Sequence, residues 1–233
     1  MSDSSNRWML TRRSLIVGGG SATALLLTGC ARRDPKVQSR ILAKKRQERA
    51  WFYYQGVYGT VNDEPFTIPA VNLRQVKPKF FRREVPNETG FPAGTLVVNT
   101  KTYYLYWTQP DGSAMRYGVG LGRAGFAWSG TGVIQYKRQW PKWTPPQEMI
   151  VRQPELEEFS AEYGGQPPGL DNPLGARALY IFQDGEDTLY RVHGSPEASS
   201  IGRAVSSGCV RLLNQDIIDL YGRVPNGSPI VVI

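Results

Sequence analysis

The sequence contains very little histidine and cysteine, and this scarcity excludes several kinds of site. Its 233 residues include one histidine, His193, and two cysteines, Cys30 and Cys209. A closed Cys/His zinc site uses four such ligands, so these residue types cannot build one here. Two cysteines form at most one disulfide, which excludes a disulfide framework. A single histidine also excludes the H-E-x-x-H helix of metalloproteases.

Common catalytic motifs are also missing. The sequence has no Ser-x-x-Lys and no G-x-S-x-G, which argues against penicillin-binding proteins and α/β-hydrolases. Residues 120–125 match G-x-G-x-x-G, but the following FAWSGTG is not an amphipathic helix, so dinucleotide binding is not indicated. We interpret these glycines as turns that allow a substrate or a neighbouring backbone to approach closely.

The composition favours one folded, strand-rich domain. Hydrophobic residues make up 40% and aromatic residues 11% of the chain, which is enough for a core and excludes wholesale disorder. The 25 glycines and 17 prolines show no period, as expected of a turn-rich chain. The formal net charge is +8, from 28 Lys and Arg against 20 Asp and Glu.

Residues 1–29 have the pattern of an export signal. A basic start that includes Arg12 and Arg13 precedes a short uncharged stretch, which is too short for a membrane span of about 20 apolar residues. The paired arginines resemble a twin-arginine signal. Residues 27–30 (LTGC) resemble a lipobox, which predicts a lipid on Cys30 and an exported, periplasmic, membrane-anchored protein. The alternative is an ordinary cleaved signal. In that case the adjacent arginines have no special meaning, because such pairs are common, and Cys30 is simply a small residue of the signal.

The rest of the chain divides into three parts. Residues 30–50 predict a basic, solvated tether, with contact to anionic lipid headgroups or an anionic wall as an alternative. Residues 51–94 predict an extended segment that packs on the following domain. Residues 95–233 contain recurring β-branched and aromatic runs separated by turn residues, which predict a mainly β sandwich or barrel. One or two short helices are expected within it, at residues 154–163 and 214–221, the second capped by Asn214.

The stretch from His193 to Arg211 contains the candidate catalytic residues. A strand ends in the single histidine, and the single cysteine of the predicted domain follows in Ser206-Ser207-Gly208-Cys209. An imidazole beside a thiol can take its proton, and we expect such a thiol to ionise below its ordinary pKa. A glycine beside the nucleophile exposes backbone N–H groups to an oxyanion. The alternatives are a buried structural cysteine, a core histidine, and an Arg211 that only pairs with Asp216 or Asp219.

This stretch resembles the signature of the L,D-transpeptidase catalytic domain (YkuD type, with ErfK, YbiS, YcfS and YnhG relatives), H-G-[ST], a gap, and S-[HSG]-G-C-[IV]-R. The resemblance covers about residues 95–233 and implies the β-sandwich of that family. It includes Trp-Pro-x-Trp-Thr-Pro-Pro at 140–146, Asn-Pro-Leu-Gly at 172–175, Ile-Gly at 201–202 and Asp-Leu-Tyr at 219–221.

The resemblance implies a role for each matching residue. Cys209 is the nucleophile, His193 the proton donor and acceptor, and Gly208 with Cys209 the source of oxyanion N–H groups. The carbonyl of Gly194 is the expected orienter of the imidazole. Residues expected to bind substrate are Arg211, Ser195, Ser206 and Ser207. Many relatives carry a second histidine where this chain has Ser207, so His193 is the sole imidazole base.

The family implies a peptidoglycan transferase that acts in cell-wall biogenesis and cell shape. Stem peptides are the donor and the acceptor, a thioester on Cys209 is the intermediate, and a 3→3 cross-link is the product. No metal, cofactor or nucleic acid is expected, and the sequence does not specify an oligomeric state. The alternatives are the same acyl-enzyme with water (an L,D-carboxypeptidase) or an outer-membrane lipoprotein lysine as acceptor, and a catalytically inert wall-binding lipoprotein.

Overall fold

The computed structural model describes residues 35–63, 65–122, 130–206 and 208–233. The α-helices are α1 (Pro35–Val57), α2 (Gln147–Arg152) and α3 (Asn214–Arg223). The strands are β1 (Val61–Asp63), β2 (Phe66–Ile68), β3 (Arg83–Pro86), β4 (Leu96–Asn99), β5 (Tyr104–Thr108), β6 (Ser113–Gly118), β7 (Leu121–Gly122), β8 (Gly130–Gln139), β9 (Arg177–Gln183), β10 (Glu186–Ser195), β11 (Ala204–Ser206), β12 (Val210–Leu213) and β13 (Ser228–Val232). The chain forms two compact units with a boundary between Lys44 and Lys45, and the strands named above lie within Lys45–Ile233.

A nine-stranded mixed sheet dominates the described part of the chain, in the order β12-β10-β9-β8-β13-β4-β5-β6-β3. The β10/β12 and β13/β4 pairs are parallel and the other neighbours are antiparallel. Two backbone hydrogen bonds, of 2.9 and 2.8 Å, join Gly120, just after β6, to Arg211 of β12. The sheet therefore curls until its two halves meet, and the predicted mainly β fold is confirmed.

One hydrophobic core fills the inside of the curled sheet. Leu105 and Tyr117 from one half share a buried cluster with Val192 and Leu212 from the other. Strand side chains alternate between faces, so the neighbours of these residues point away from the core. This alternation decides which side chains of β10 and β12 belong to the site described below.

Helix α3 closes one side of this core. It extends to Arg223, two residues beyond the predicted end, and buries Ile217 and Leu220 in the main cluster. Asn214 does not cap the helix as predicted, because its side-chain oxygen instead accepts a hydrogen bond of 3.0 Å from the backbone N–H of Ala176. The predicted helix at 154–163 is present only in part, and not as an α-helix. Helix α2 ends before Pro154, and 154–159 form a 3-10 helix, since the residue before a proline disfavours α conformation.

Helix α1 replaces the irregular tether predicted from residue 35 onward. Residues 35–50 are exposed but helical, and the extended conformation predicted from residue 51 is wrong for 51–57. Lys, Arg, Gln and Ala, which dominate 36–50, have high helix propensity, and the prediction followed their charge instead. None of the helices in the described ranges is long and apolar enough to span a bilayer.

Residues 58–86 pack against the strand domain. The β1–β2 hairpin and two 3-10 turns, Leu73–Gln75 and Pro78–Phe80, contribute to two buried clusters beside the main core. The Arg177 guanidinium donates two hydrogen bonds, of 2.7 and 2.8 Å, to the Asp63 carboxylate. The indole N–H of Trp140 donates to the same carboxylate at 2.9 Å. These contacts fix the segment on the domain.

Candidate active site

Parallel pairing of β10 with β12 brings the predicted residues onto one face. The register sets Val192 opposite Val210 and His193 opposite Arg211. Both valines lie in the main core, so His193 and Arg211 point to the other face of the sheet. Cys209 immediately precedes β12, and its thiol lies next to the backbone of Arg191, two residues before His193 in β10. The cysteine and the histidine are therefore carried by neighbouring segments at the β10/β12 pair.

The imidazole of His193 is buried, with 3% of the residue exposed. Its Nδ1 lies 2.6 Å from the carbonyl oxygen of Gly194, at the position expected for an orienting group. A carbonyl can only accept, so this contact fits the neutral tautomer that carries its proton on Nδ1 and leaves Nε2 unprotonated. Burial lowers the pKa of His193 to about 4, and the charges of Arg211 and Arg191 act in the same direction. The Gly194 and Pro173 carbonyls oppose this shift.

The Cys209 thiol is also kept neutral by its surroundings. Burial raises the pKa of Cys209, and this outweighs a hydrogen bond from the backbone of Arg191 and the charges of Arg191 and Arg211. The expectation of a thiol that ionises below its ordinary pKa is therefore wrong for this state. Both groups are therefore neutral at rest, and the site holds no preformed thiolate–imidazolium pair.

Gly208 has a backbone conformation that favours glycine. Its φ of +139° lies in a region that L side chains rarely adopt, and a Cβ there would lie 3.0 Å from the ring of Tyr190. On its other side, a Cβ on Gly122 would lie 1.9 Å from the Gly208 nitrogen. The glycines at 120 and 122 therefore permit close backbone approach, as interpreted from the sequence. Strand β11 pairs with β7 beside this contact, with Ser206 opposite Gly122.

Arg211 pairs with a residue that the sequence analysis missed. Its Nη1 donates to Glu197 Oε2 at 2.9 Å, so the suggested pairing with Asp216 or Asp219 is wrong. The Nε of Arg211 is buried and has no hydrogen-bond partner among the described residues. The Glu197 side chain is 63% exposed, so a substrate carboxylate can displace it at little cost. The sequence signal for this pairing was Glu197, an acidic residue in the loop that follows His-Gly-Ser.

The remaining predicted site residues include Ser195, Ser207 and Cys30. Ser195 ends β10 and is buried, and its hydroxyl accepts a hydrogen bond of 3.1 Å from the backbone N–H of Glu197. It therefore orders the loop that carries Glu197. Ser207 and the predicted lipidation site, Cys30, lie outside the described residues.

The model of the YkuD family, the L,D-transpeptidase catalytic domain, matches residues 93–232. The chain belongs to this family. The match includes His193, Gly208, Cys209 and Arg211, and the recognition made from the sequence is confirmed. Helix α1 and the packed segment 58–86 lie outside the matched L,D-transpeptidase region.

Individual relatives agree with this assignment. The chain is 35% identical over 147 residues to the probable L,D-transpeptidase ErfK/SrfK of Escherichia coli K12, covering 59% of this chain and 43% of that protein. It is 34% identical over 145 residues to the probable L,D-transpeptidase YbiS of the same strain, covering 57% and 42%. The chain thus spans less than half the length of these curated relatives.

A similar solved structure comes from Brucella melitensis and is titled a probable carnitine operon oxidoreductase. It is 39% identical to this chain, covers 70% of this chain and 99% of its own, and superposes with a TM-score of 0.48.

Proposed function

We propose that this L,D-transpeptidase family member forms 3→3 cross-links between peptidoglycan stem peptides through a thioester on Cys209. The observation that carries the proposal is the pairing of β10 with β12, in which His193 and Arg211 are register partners and Cys209 immediately precedes β12. The hydrogen bond from Nδ1 of His193 to the Gly194 carbonyl supports the role of Nε2 as base.

Acylation begins from the neutral pair. As the Cys209 sulfur attacks the carbonyl of the third stem residue, a diamino acid, its proton passes to Nε2 of His193. The developing oxyanion faces the backbone N–H groups of Gly208 and Cys209. Collapse of this intermediate breaks the C–N bond, and D-alanine leaves with the proton from His193. Arg211 binds a substrate carboxylate, which takes the place of Glu197.

Transfer reverses the proton path. The side-chain amine of a second stem attacks the thioester carbonyl and gives its proton to His193. The C–S bond then breaks, and the proton returns from the imidazole to the sulfur, which regenerates the thiol. The thiolate is a better leaving group than the attacking amine, so the thioester favours transfer to that amine.

Carbapenem exposure followed by intact-mass measurement and peptide mapping tests the nucleophile. We expect one adduct, on the peptide that contains Cys209, and none on a Cys209→Ala variant. An unmodified wild-type protein would remove Cys209 from the mechanism and favour the inert wall-binding alternative.

The acceptor is tested with purified disaccharide-tetrapeptide. Dimers support transpeptidation, trimmed tripeptides indicate transfer to water, and an adduct on an added lipoprotein indicates attachment to its lysine. Cys209→Ser should yield none of these products, because a serine hydroxyl beside one neutral imidazole is a far weaker nucleophile than a thiol.

We also propose that the chain is exported and anchored through a lipid on Cys30, on the basis of the signal-like residues 1–29 and the lipobox-like 27–30. Cys30→Ala should move the protein from the membrane fraction to the soluble fraction, with an unchanged rate of carbapenem adduct formation. Wild-type protein that is already soluble after export contradicts the anchor.

A further inference from the structure

A cleft opens at the carboxyl ends of the two strands that carry the candidate active site. It has a volume of about 400 Å³ and is lined on the strand side by Ser195 of β10 and Leu213 of β12. These two residues are register partners, two positions beyond the His193–Arg211 pair. Leu213 lies four positions after Cys209, which is roughly 13 Å at about 3.3 Å per residue. A substrate that runs from Cys209 towards the carboxyl ends of these strands would reach the cleft.

The opposite wall comes from the segment that precedes the family domain. Ile68, Asn72 and Gln75 line the cleft, and all three lie outside the matched residues 93–232. The wall is held firmly in place. Ile68 is buried against Trp140, and the Gln215 amide donates to the carbonyls of Gly59 and Pro69 at 3.1 and 3.0 Å.

The cleft presents amide and carboxylate groups above an apolar base. Asn72, Gln75 and Asp171 are exposed and line it, and because the Asn72 oxygen accepts a hydrogen bond of 3.2 Å from the Arg74 backbone N–H, Asn72 offers its amide N–H groups. Such a mixture fits hydroxyl and acetamido groups better than it fits an apolar chain. A muramyl sugar carries these groups, and it lies on the N-terminal side of the stem, a few residues from the reacting carbonyl of the third residue.

We propose that this cleft binds the glycan end of the donor, so that the enzyme prefers stem peptides still attached to their sugar. The inference rests on the proposed function, because it takes the stem peptide as substrate. It assigns the segment 68–75 as a specificity determinant, built outside the family domain.

Tryptophan substitutions at two neighbouring exposed positions test the proposal. Ala70 lines the cleft, whereas Arg74, in the same segment, does not. For the wild type we expect a KM about tenfold lower for disaccharide-tetrapeptide than for the free tetrapeptide. This ratio corresponds to ~1.4 kcal/mol of binding free energy. Ala70→Trp should bring the two KM values together, while Arg74→Trp should keep the ratio. Alkylation of Cys209 by iodoacetamide should be the same in all three proteins.

Equal KM values for the two substrates in the wild type, or an unchanged ratio in Ala70→Trp, overturn the proposal. If the wild type does not turn over either substrate, the proposed function fails, and calorimetric binding to Cys209→Ala still decides the cleft. Tighter binding of the disaccharide form, lost in Ala70→Trp/Cys209→Ala, supports the cleft as a glycan site. Equal affinities, or no binding of either form, contradict it.

Discussion

At the scale of single residues, burial sets the protonation of the candidate dyad. The pKa of His193 falls to about 4, and the pKa of Cys209 rises. The positive charges of Arg191 and Arg211 favour a thiolate but disfavour an imidazolium, so they do not produce a resting ion pair. At neutral pH the imidazole is therefore unprotonated, as the proposed transfer of the thiol proton to it requires.

Replacing His193 tests this arrangement. His193→Gln should slow carbapenem acylation of Cys209 by roughly 10²–10⁴-fold, the usual contribution of a positioned base. The wild-type rate should rise as pH increases through about 4, where the imidazole becomes neutral, and the variant should lack this rise. Stopped-flow acylation against pH measures both. A variant that folds normally by circular dichroism and acylates at the wild-type rate would assign His193 to the core only.

The sequence identified the residues that lie within one motif, but not the contacts between distant residues. Cys209, His193, Gly194 and Arg211 follow from a short gapped pattern, and the structure makes His193 and Arg211 register partners and sets the Gly194 carbonyl 2.6 Å from the imidazole. The pKa of Cys209 was predicted in the wrong direction, because burial depends on the whole fold and not on neighbours in the chain.

At the scale of elements, β7 supports the backbone that leads to Cys209, the proposed nucleophile. The backbone of Gly122 lies so close to Gly208 that a Cβ there would overlap the Gly208 nitrogen. The same nitrogen is one of the proposed oxyanion donors. The position of this donor therefore depends on the absence of a side chain in a different strand.

Gly122→Ala should displace Gly208 and lower the acylation rate of Cys209 by roughly 10²-fold or more, the usual effect of losing one oxyanion donor. Gly169→Ala is the matched control, because a Cβ at Gly169 meets nothing within 4 Å and neither glycine has a positive φ. Carbapenem acylation, with thermal unfolding to verify folding, measures the effect. Equal rates in the two variants would show that the loop does not depend on β7.

Elements with strong local patterns were predictable, and those with competing signals were not. Helix α3 and the strands after Thr95 show clear periodicity, and the structure contains them. Helix α1 was missed because its high charge is typical of a solvated linker, although the same residues favour a helix. Asn214 was predicted to cap α3. Its side-chain oxygen instead lies close to Gly175 and Gly194 and accepts a hydrogen bond from the backbone N–H of Ala176, which is far away in the chain.

At the scale of the whole molecule, buried polar contacts join the N-terminal segment to the domain. Asp63 and Arg177 are far apart in the chain, and so are Tyr58 and Asp216, whose hydroxyl and carboxylate lie 3.2 Å apart. No local pattern predicts pairs at such separations. Asp216 is fully buried, and its burial outweighs the nearby Arg82 guanidinium and raises its pKa to about 7.

His193 and Asp216 make opposite contributions to the pH dependence of stability. The folded pKa of His193 is about 4 against 6.5, so folding loses stability as pH falls from about 6.5 to 4, where only the unfolded chain binds the proton. The folded pKa of Asp216 is about 7 against 3.8, so folding gains stability as pH falls from about 7 to 4. At 1.36 kcal/mol per pKa unit, the contributions are about 3 kcal/mol for His193 and about 4 kcal/mol for Asp216, so they largely cancel.

Urea unfolding of the wild type and two variants between pH 4 and pH 7 separates these contributions. The wild-type free energy of unfolding should change little from these two groups. Asp216→Asn keeps only the histidine contribution, so its stability should fall by ~3 kcal/mol as pH decreases from about 6.5 to 4. His193→Gln keeps only the aspartate contribution and should become more stable relative to the wild type over the same range. Parallel curves for all three proteins would mean that neither group changes its pKa on folding.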